Sequence, residues 1–267
     1  MSLSNLVVLS AVFAILFLHC TSNNNNKSKT SPIVAESSQY AKLHCVNESS
    51  GVCAEFNVSY PIFSGGDTAT VTALNRSVQQ YLLSAVGGNG QLPFVQSLDS
   101  AAWHFVQSFV EEQQENPDRE IGYAMEIKDT IPFLNAKVAT VQFDGYAYTG
   151  GAHPSPFGIL VSYDLTKKAH PLCLADMVTD TNALRPLLEK AYKISKGLQA
   201  DSPLAEATYP DMEQLPMPAN VGLVAAGIRF YYNAYEVAPY ALGDSDILLT
   251  WDQLGSLADP NKWLEQQ

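Results

Sequence analysis

The hydrophobic pattern divides the chain into blocks of two different periods. Between Tyr40 and Phe63 apolar and polar positions alternate, which predicts a β-hairpin. Its strand-like runs, Tyr40–His44 and Ala54–Tyr60, flank a polar turn, and Pro61 with Ser64-Gly65-Gly66 closes it. The spacing then becomes helical over Ala69–Val86, where Val71, Leu74, Val78, Tyr81/Leu82 and Ala85 share a face. Asp67 or Thr68 is placed to cap this helix, and Gly87-Gly88-Asn89-Gly90 to stop it. A second helix over Leu98–Gln113 carries Ala102, Phe105/Val106 and Phe109 on one face and runs into the charged stretch Glu111–Glu120. Two strands follow, Ile121–Ile127 and Phe133–Tyr148. The second breaks its alternation near Asp144-Gly145, which predicts a bulge.

A further strand pair, Phe157–Asp164 and Ala169–Leu172, surrounds the turn Leu165-Thr166-Lys167-Lys168. Asn182 then caps a helix whose face is Leu184, Leu187/Leu188, Ala191 and Ile194, with Pro186 in the first turn and Gly197 at the end. Leu198–Ala219 is irregular and holds four prolines. Strands resume at Val221–Val224 and Ile228–Tyr232, followed by the aromatic loop Asn233–Gly243, strand Asp246–Thr250 and a short helix or turn over Asp252–Leu257. Strands come in antiparallel-style pairs and helices in separate blocks. The order therefore predicts an α+β fold: mixed, largely antiparallel sheets with packed helices, in two closely associated subdomains over residues 39–155 and 156–267.

Composition narrows the function classes. The 267 residues are 46% hydrophobic and 16% charged, as in a folded globular protein. The net charge of -12, from 27 acids against 15 bases, disfavours nucleic acid as a partner and favours a cationic one through long-range steering. No CxxC or HxxxH pair is present, so no metal site is expected.

The front of the chain concerns location. Leu6–Leu18 is an uncharged apolar run, shorter than a membrane span and of the length of a signal-peptide core. Cys20 follows it directly and opens a polar tract, Thr21-Ser22-Asn23-Asn24-Asn25-Asn26, in the manner of a lipoprotein signal and tether. Residues 1–19 are thus read as a signal peptide and 20–38 as a tether. Cys20 is the candidate lipidation site, with plain secretion or an uncleaved anchor as the alternatives. Either way the chain is expected to be exported to the cell envelope, touching the membrane only through a lipid. Cysteine usage agrees with an oxidising compartment, because a hairpin would bring Cys45 and Cys53 within disulfide reach. Cys173 reads as a small buried hydrophobe.

His153 beside Asp144, or His170 beside Asp164 and Asp176, has the residue types of a base and its orienting carboxylate. GxSxG, HExxH and a phosphate-binding Gly-rich loop are all absent, so no catalytic residue and no cofactor is assigned. His153 reads instead as a turn residue capping a neighbouring carbonyl. Two segments stand apart: Asp144-Gly145-Tyr146-Ala147-Tyr148-Thr149-Gly150-Gly151-Ala152-His153-Pro154, and the tyrosine-rich Phe230–Gly243. Tyrosine is favoured at recognition surfaces for its area, low rotamer entropy and hydroxyl. Tyr146, Tyr148, Thr149, His153, Tyr235 and Tyr240 are therefore the candidate binding residues. Alternation sends Tyr231 and Tyr232 to opposite faces, so at least one belongs to the core.

Together these segments resemble a tandem pair of bacterial extracytoplasmic domains of unknown function. The pair forms the outer part of RsiV-type anti-sigma factors, and its first domain also occurs beside peptidoglycan deacetylases. Phe56–Gly65 with the helix carrying Asn75 resembles the start of the first domain, Ile159–Met177 the start of the second, and Gly227–Leu254 its end. The resemblance implies a paired α+β fold, an envelope location, and binding of lysozyme with the second domain covering the enzyme's cleft. No sigma-binding segment and no full-length apolar span accompany it, so signalling by regulated proteolysis is not expected. The functional expectation is an extracytoplasmic binding module, not an enzyme, that binds or inhibits lysozyme or a related cell-wall hydrolase. The alternative is a peptidoglycan- or glycan-binding accessory domain or enzyme of cell-wall metabolism.

Overall fold

A computed structural model describes residues 31–46, 51–87 and 96–265. The signal-peptide reading, Cys20 and the tether up to residue 30 lie outside the described residues, as do residues 47–50 of the first turn and 88–90 after the first helix.

Strand β1 (Val34–Cys45) pairs antiparallel with β2 (Cys53–Ser64) in unbroken register. Cys45 and Cys53 face each other across the ladder, Cα atoms 3.9 Å apart, and are joined by a disulfide. Strand β1 begins at Val34, so residues 34–38, read as tether, belong to the sheet. Their polar stretch Glu36-Ser37-Ser38-Gln39 hides the strand, because an edge strand with most positions in water needs no hydrophobic alternation.

The chain leaves β2 through helices α1 (Thr68–Val86) and α2 (Leu98–Glu115) and returns as β3 (Tyr123–Leu134), parallel to β2. This helical crossover makes the sheet mixed. Asp67 caps α1 by accepting from Thr70 N at 2.9 Å. Strands β4 (Val138–Tyr148), β5 (Ser155–Asp164) and the short β6 (His170–Pro171) complete a six-stranded sheet in sequence order. The sheet thus continues past residue 156, where the sequence placed the division between subdomains.

The bulge expected at Asp144-Gly145 is not there. Both residues keep regular register, opposite Lys128 and Ile127 on one side and Gly158 and Phe157 on the other. Gly145 breaks the alternation for a steric reason: a Cβ there would lie 2.6 Å from Glu126 O and 2.7 Å from the Phe157 ring. The irregularity falls instead in β3, between Thr130 and Phe133.

Helices α1 and α2 cover one face of the large sheet around Phe56, Leu74, Phe105, Phe109, Ile127 and Phe143. The second sheet, β7 (Asn220–Val224), β8 (Gly227–Tyr232) and β9 (Ser245–Thr250), is antiparallel and packs beside β4 and β5. Alternation along β4 explains how one strand serves two cores. Val141 and Phe143 belong to the core beneath α1 and α2, whereas Val138 joins the second core with Leu184, Tyr192, Phe230 and Trp263. Between them Thr140 is fully buried and its hydroxyl donates to Leu223 O at 2.7 Å, while Leu223 N donates to Ser162 Oγ at 2.8 Å. A backbone residue of β7 is thereby satisfied by side chains of β4 and β5.

Helix α3 (Leu174–Met177) and helix α4 (Thr181–Ser195) lead into that second half, with α5 (Trp251–Leu254) and α6 (Pro260–Trp263) closing the chain. Two local readings change here. Asp180, not Asn182, caps α4, accepting from Asn182 N and Ala183 N. The helix therefore starts early enough to put Pro186 beyond its first turn, where the missing N–H leaves Asn182 C=O without its helical donor. Cys173 is exposed, not buried: it precedes α3, and its N and Sγ both bond Asp176 Oδ2, at 2.9 and 3.1 Å.

Candidate functional site

The two tyrosine-bearing segments meet at one end of the molecule. The turn after β4 carries His153, and the loop after β8 carries Tyr235 and Tyr240. The rings of His153 and Tyr240 stack with centroids 3.8 Å apart and planes 13° from parallel. Tyr235 packs beside the stacked pair, 6.4 Å from the His153 ring and 5.5 Å from Tyr240. The result is a three-ring aromatic shelf at the surface, with His153 exposed, Tyr235 54% exposed and Tyr240 half-buried.

Hydrogen bonds fix the imidazole. His153 Nδ1 lies 3.0 Å from Pro154 O, a carbonyl that can only accept, so Nδ1 carries the proton. Nε2 is then the acceptor for Tyr235 OH at 3.2 Å. Tyr240 OH also donates to Pro154 O, at 3.3 Å. His153 therefore does cap a neighbouring carbonyl, its other nitrogen meets a tyrosine, and among the described residues no carboxylate hydrogen-bonds to it.

Each loop is anchored from behind. Arg119, at the end of the charged stretch after α2, bridges Glu112 and the Gly150 carbonyl and so holds the turn. Gly150 has φ 86°, a conformation that suits glycine. On the other side Asn233 pairs with the Gly158 backbone, accepting from its N at 2.6 Å and donating to its O at 3.2 Å. A Cβ at Gly158 would lie 2.5 Å from the Tyr231 ring, so the close approach of β5 and β8 needs glycine. Tyr235 itself has φ 68°, and its carbonyl accepts from Tyr209 OH at 3.3 Å. Glu236 closes the loop by accepting from Asn233 N at 2.9 Å. Burial raises its carboxyl above the usual range, and the Asn233 N–H works the other way.

Below the shelf lies an open depression of about 460 Å³ lined by Tyr146, Tyr148, His153, Pro154, Ala124 and Ala152. Burial, then a hydrogen bond with Glu126, raises the Tyr146 hydroxyl above its ordinary value. Thr149 is exposed on the turn and does not line the depression. Of the candidate binding residues, His153, Tyr235 and Tyr240 form the shelf, Tyr146 and Tyr148 the floor beside it, and Thr149 stands apart.

The other candidate chemistry is committed elsewhere. Asp164 accepts from Thr166 N and Oγ1 at the turn after β5, and Asp176 accepts from Cys173 N and Sγ. The bonds to Cys173, with lesser help from the nearby His170, hold the Asp176 carboxyl below its usual range, but among the described residues no hydrogen bond joins His170 to either carboxylate. Tyr231 and Tyr232 are both buried. Tyr231 OH bonds Asp244, and Tyr232 OH donates to Pro216 O at 2.6 Å. Nothing local in the sequence marks Tyr209, Asn233 or Arg119 as supports, since each acts through a contact remote along the chain.

Comparison with known proteins fits this two-part architecture. Residues 47–156 match the family model described as Deacetylase PdaC, and residues 175–252 match that of a protein of unknown function, DUF3298. The two occur in tandem, as in the domain pair the sequence resembles. No curated protein matches the chain. Among solved structures, a DUF3298-family protein from Bacteroides fragilis is similar at TM-score 0.65 and 18% identity, over 86% of this chain and 96% of its own. A DUF3298 family protein from Pseudomonas aeruginosa is similar at TM-score 0.62 and 20% identity, over 88% of this chain and 97% of its own. At these identities the likeness is one of fold. No helix among the described residues is long and apolar enough to cross a membrane.

Proposed function

We propose that this chain is an exported, non-catalytic binding module of the bacterial cell envelope, docking a cell-wall partner on the His153–Tyr235–Tyr240 shelf. The observation that carries this reading is the shelf: aromatic rings from two separate loops are stacked and held by hydrogen bonds, yet His153 and Tyr235 are exposed and Tyr240 is half-buried. Apolar faces with hydroxyls at their rims, already held in place, lose little freedom on docking. The partner that fits best is a cationic cell-wall hydrolase of the lysozyme type, because the chain carries a net charge of -12. The RsiV-type resemblance and the DUF3298 match over 175–252 support the same assignment. Lipidation at Cys20 would hold the module at the membrane.

A second reading takes the glycan itself as ligand. It is favoured by the depression lined by Tyr146 and Tyr148 beside the shelf, and by the PdaC match over 47–156. One capture experiment separates the two. Immobilised protein is offered lysozyme, or purified sacculi free of hydrolases, and the lytic rate of lysozyme is followed with the protein added. Retention of lysozyme with a slowed lytic rate supports the first reading, and retention of sacculi alone supports the second. Release of acetate or reducing ends from the sacculi would contradict the non-catalytic assignment.

A further inference from the structure

Strand β1 stands at the end of the six-stranded ladder, and among the described residues no strand pairs with its outer side. It is twelve residues long, in unbroken register with β2, and contains no proline. Folded proteins commonly shorten, kink or charge such an edge, because its free N–H and C=O groups template pairing with another chain. Here the edge has a single lysine, Lys42, and leaves Leu43 63% and Val34 46% exposed.

We propose that β1 pairs antiparallel with β1 of a second copy of this chain, about a two-fold axis at Gln39. In a regular antiparallel ladder both members of a hydrogen-bonded pair must direct their backbone groups toward each other, so a symmetric register sets one residue opposite itself. With Gln39 on the axis, Glu36 lies opposite Lys42 of the second copy, and the pair is repeated by symmetry. Exposed Leu43 falls opposite Ala35, and Val34 opposite His44. Moving the axis to Tyr40 sets Glu36 against His44 and Lys42 against Ser38. Moving it to Ser38 sets Glu36 against Tyr40 and Lys42 against Val34. Opposite charges meet twice only with Gln39 at the centre, so charge complementarity selects both the occupant and the register. The two large sheets then join into one.

The test is sedimentation equilibrium of the purified chain over a range of concentrations, combined with charge reversal. The wild-type chain self-associates to a dimer. Lys42→Glu sets like charges opposite at both symmetric positions and weakens the dimer by about tenfold. The double variant Glu36→Lys/Lys42→Glu restores it. Register is read separately in a chain with Cys20→Ser and Cys173→Ser. There Gln39→Cys forms a disulfide-linked dimer on mild oxidation, since residues opposite each other in such a ladder have Cα atoms about 4.5–5.5 Å apart. Ala41→Cys, which faces Ser37, does not. A chain that stays monomeric at every concentration, charge variants that all associate alike, or crosslinking at position 41 as readily as at 39 would overturn the proposal.

Discussion

A single hydrogen atom at Gly158 lets the Tyr231 ring pass over β5, and the same residue's N–H and C=O are both held by Asn233. Gly158→Ala therefore overpacks the contact beneath the aromatic loop and is expected to cost about 1–3 kcal/mol in urea unfolding. The buried tyrosines make a second prediction at this scale. Burial, reinforced by the hydrogen bond to Asp244, pushes the Tyr231 hydroxyl far above its ordinary value, and burial does the same for Tyr232 and Tyr163. The unfolded chain ionises these groups near about pH 10, whereas the folded protein keeps its protons. The native state then binds more protons than the unfolded one, so stability falls as pH rises past that point. Tyr231→Phe removes one such group, and denaturation curves between about pH 9 and 11 should show a shallower decline than in the wild type. The individual aromatic residues of the shelf were legible in the sequence as unusual for their density beside glycine turns. Their supports were not, because nothing local marks Arg119, Tyr209 or Asn233 as partners of Gly150, Tyr235 and Gly158.

Elements with a strong period were the most legible. Helices α1 and α2 each bury one stripe against the same sheet face, and the pattern of apolar residues marks that stripe directly. Strand β1 is only half visible in the pattern because its outer residues lose nothing by being polar, and the start of α4 is ambiguous because Asp180 and Asn182 are both good caps. The cap can be tested directly: Asp180→Ala is expected to destabilise the protein by about 1 kcal/mol, seen as a lower urea midpoint with unchanged slope. At the other end of the chain, the disulfide between Cys45 and Cys53 closes the turn of the first hairpin. Replacing both cysteines by serine should cost about 2.5 kcal/mol, as expected for so short a loop.

Across the whole molecule, the two sheets are fastened by Thr140, Ser162 and Leu223, which satisfy one another where no water reaches. Thr140→Val keeps the shape but leaves the Leu223 carbonyl without its donor, a loss of about 1–3 kcal/mol. With both cores built on β4, calorimetry should record one unfolding transition for the two halves, in the variant as in the wild type. That sharing was not legible in the sequence. The run Val138-Ala139-Thr140-Val141 reads simply as apolar, and only the packing assigns its alternate residues to different cores. The same packing brings the turn after β4 against the loop after β8, and so assembles the shelf. Isothermal titration of lysozyme into the purified protein at low salt, beside the Tyr235→Ala/Tyr240→Ala variant, tests its role most directly. The account predicts saturable binding that the folded variant loses. Equal binding by both proteins, or no binding by the wild type, would contradict it.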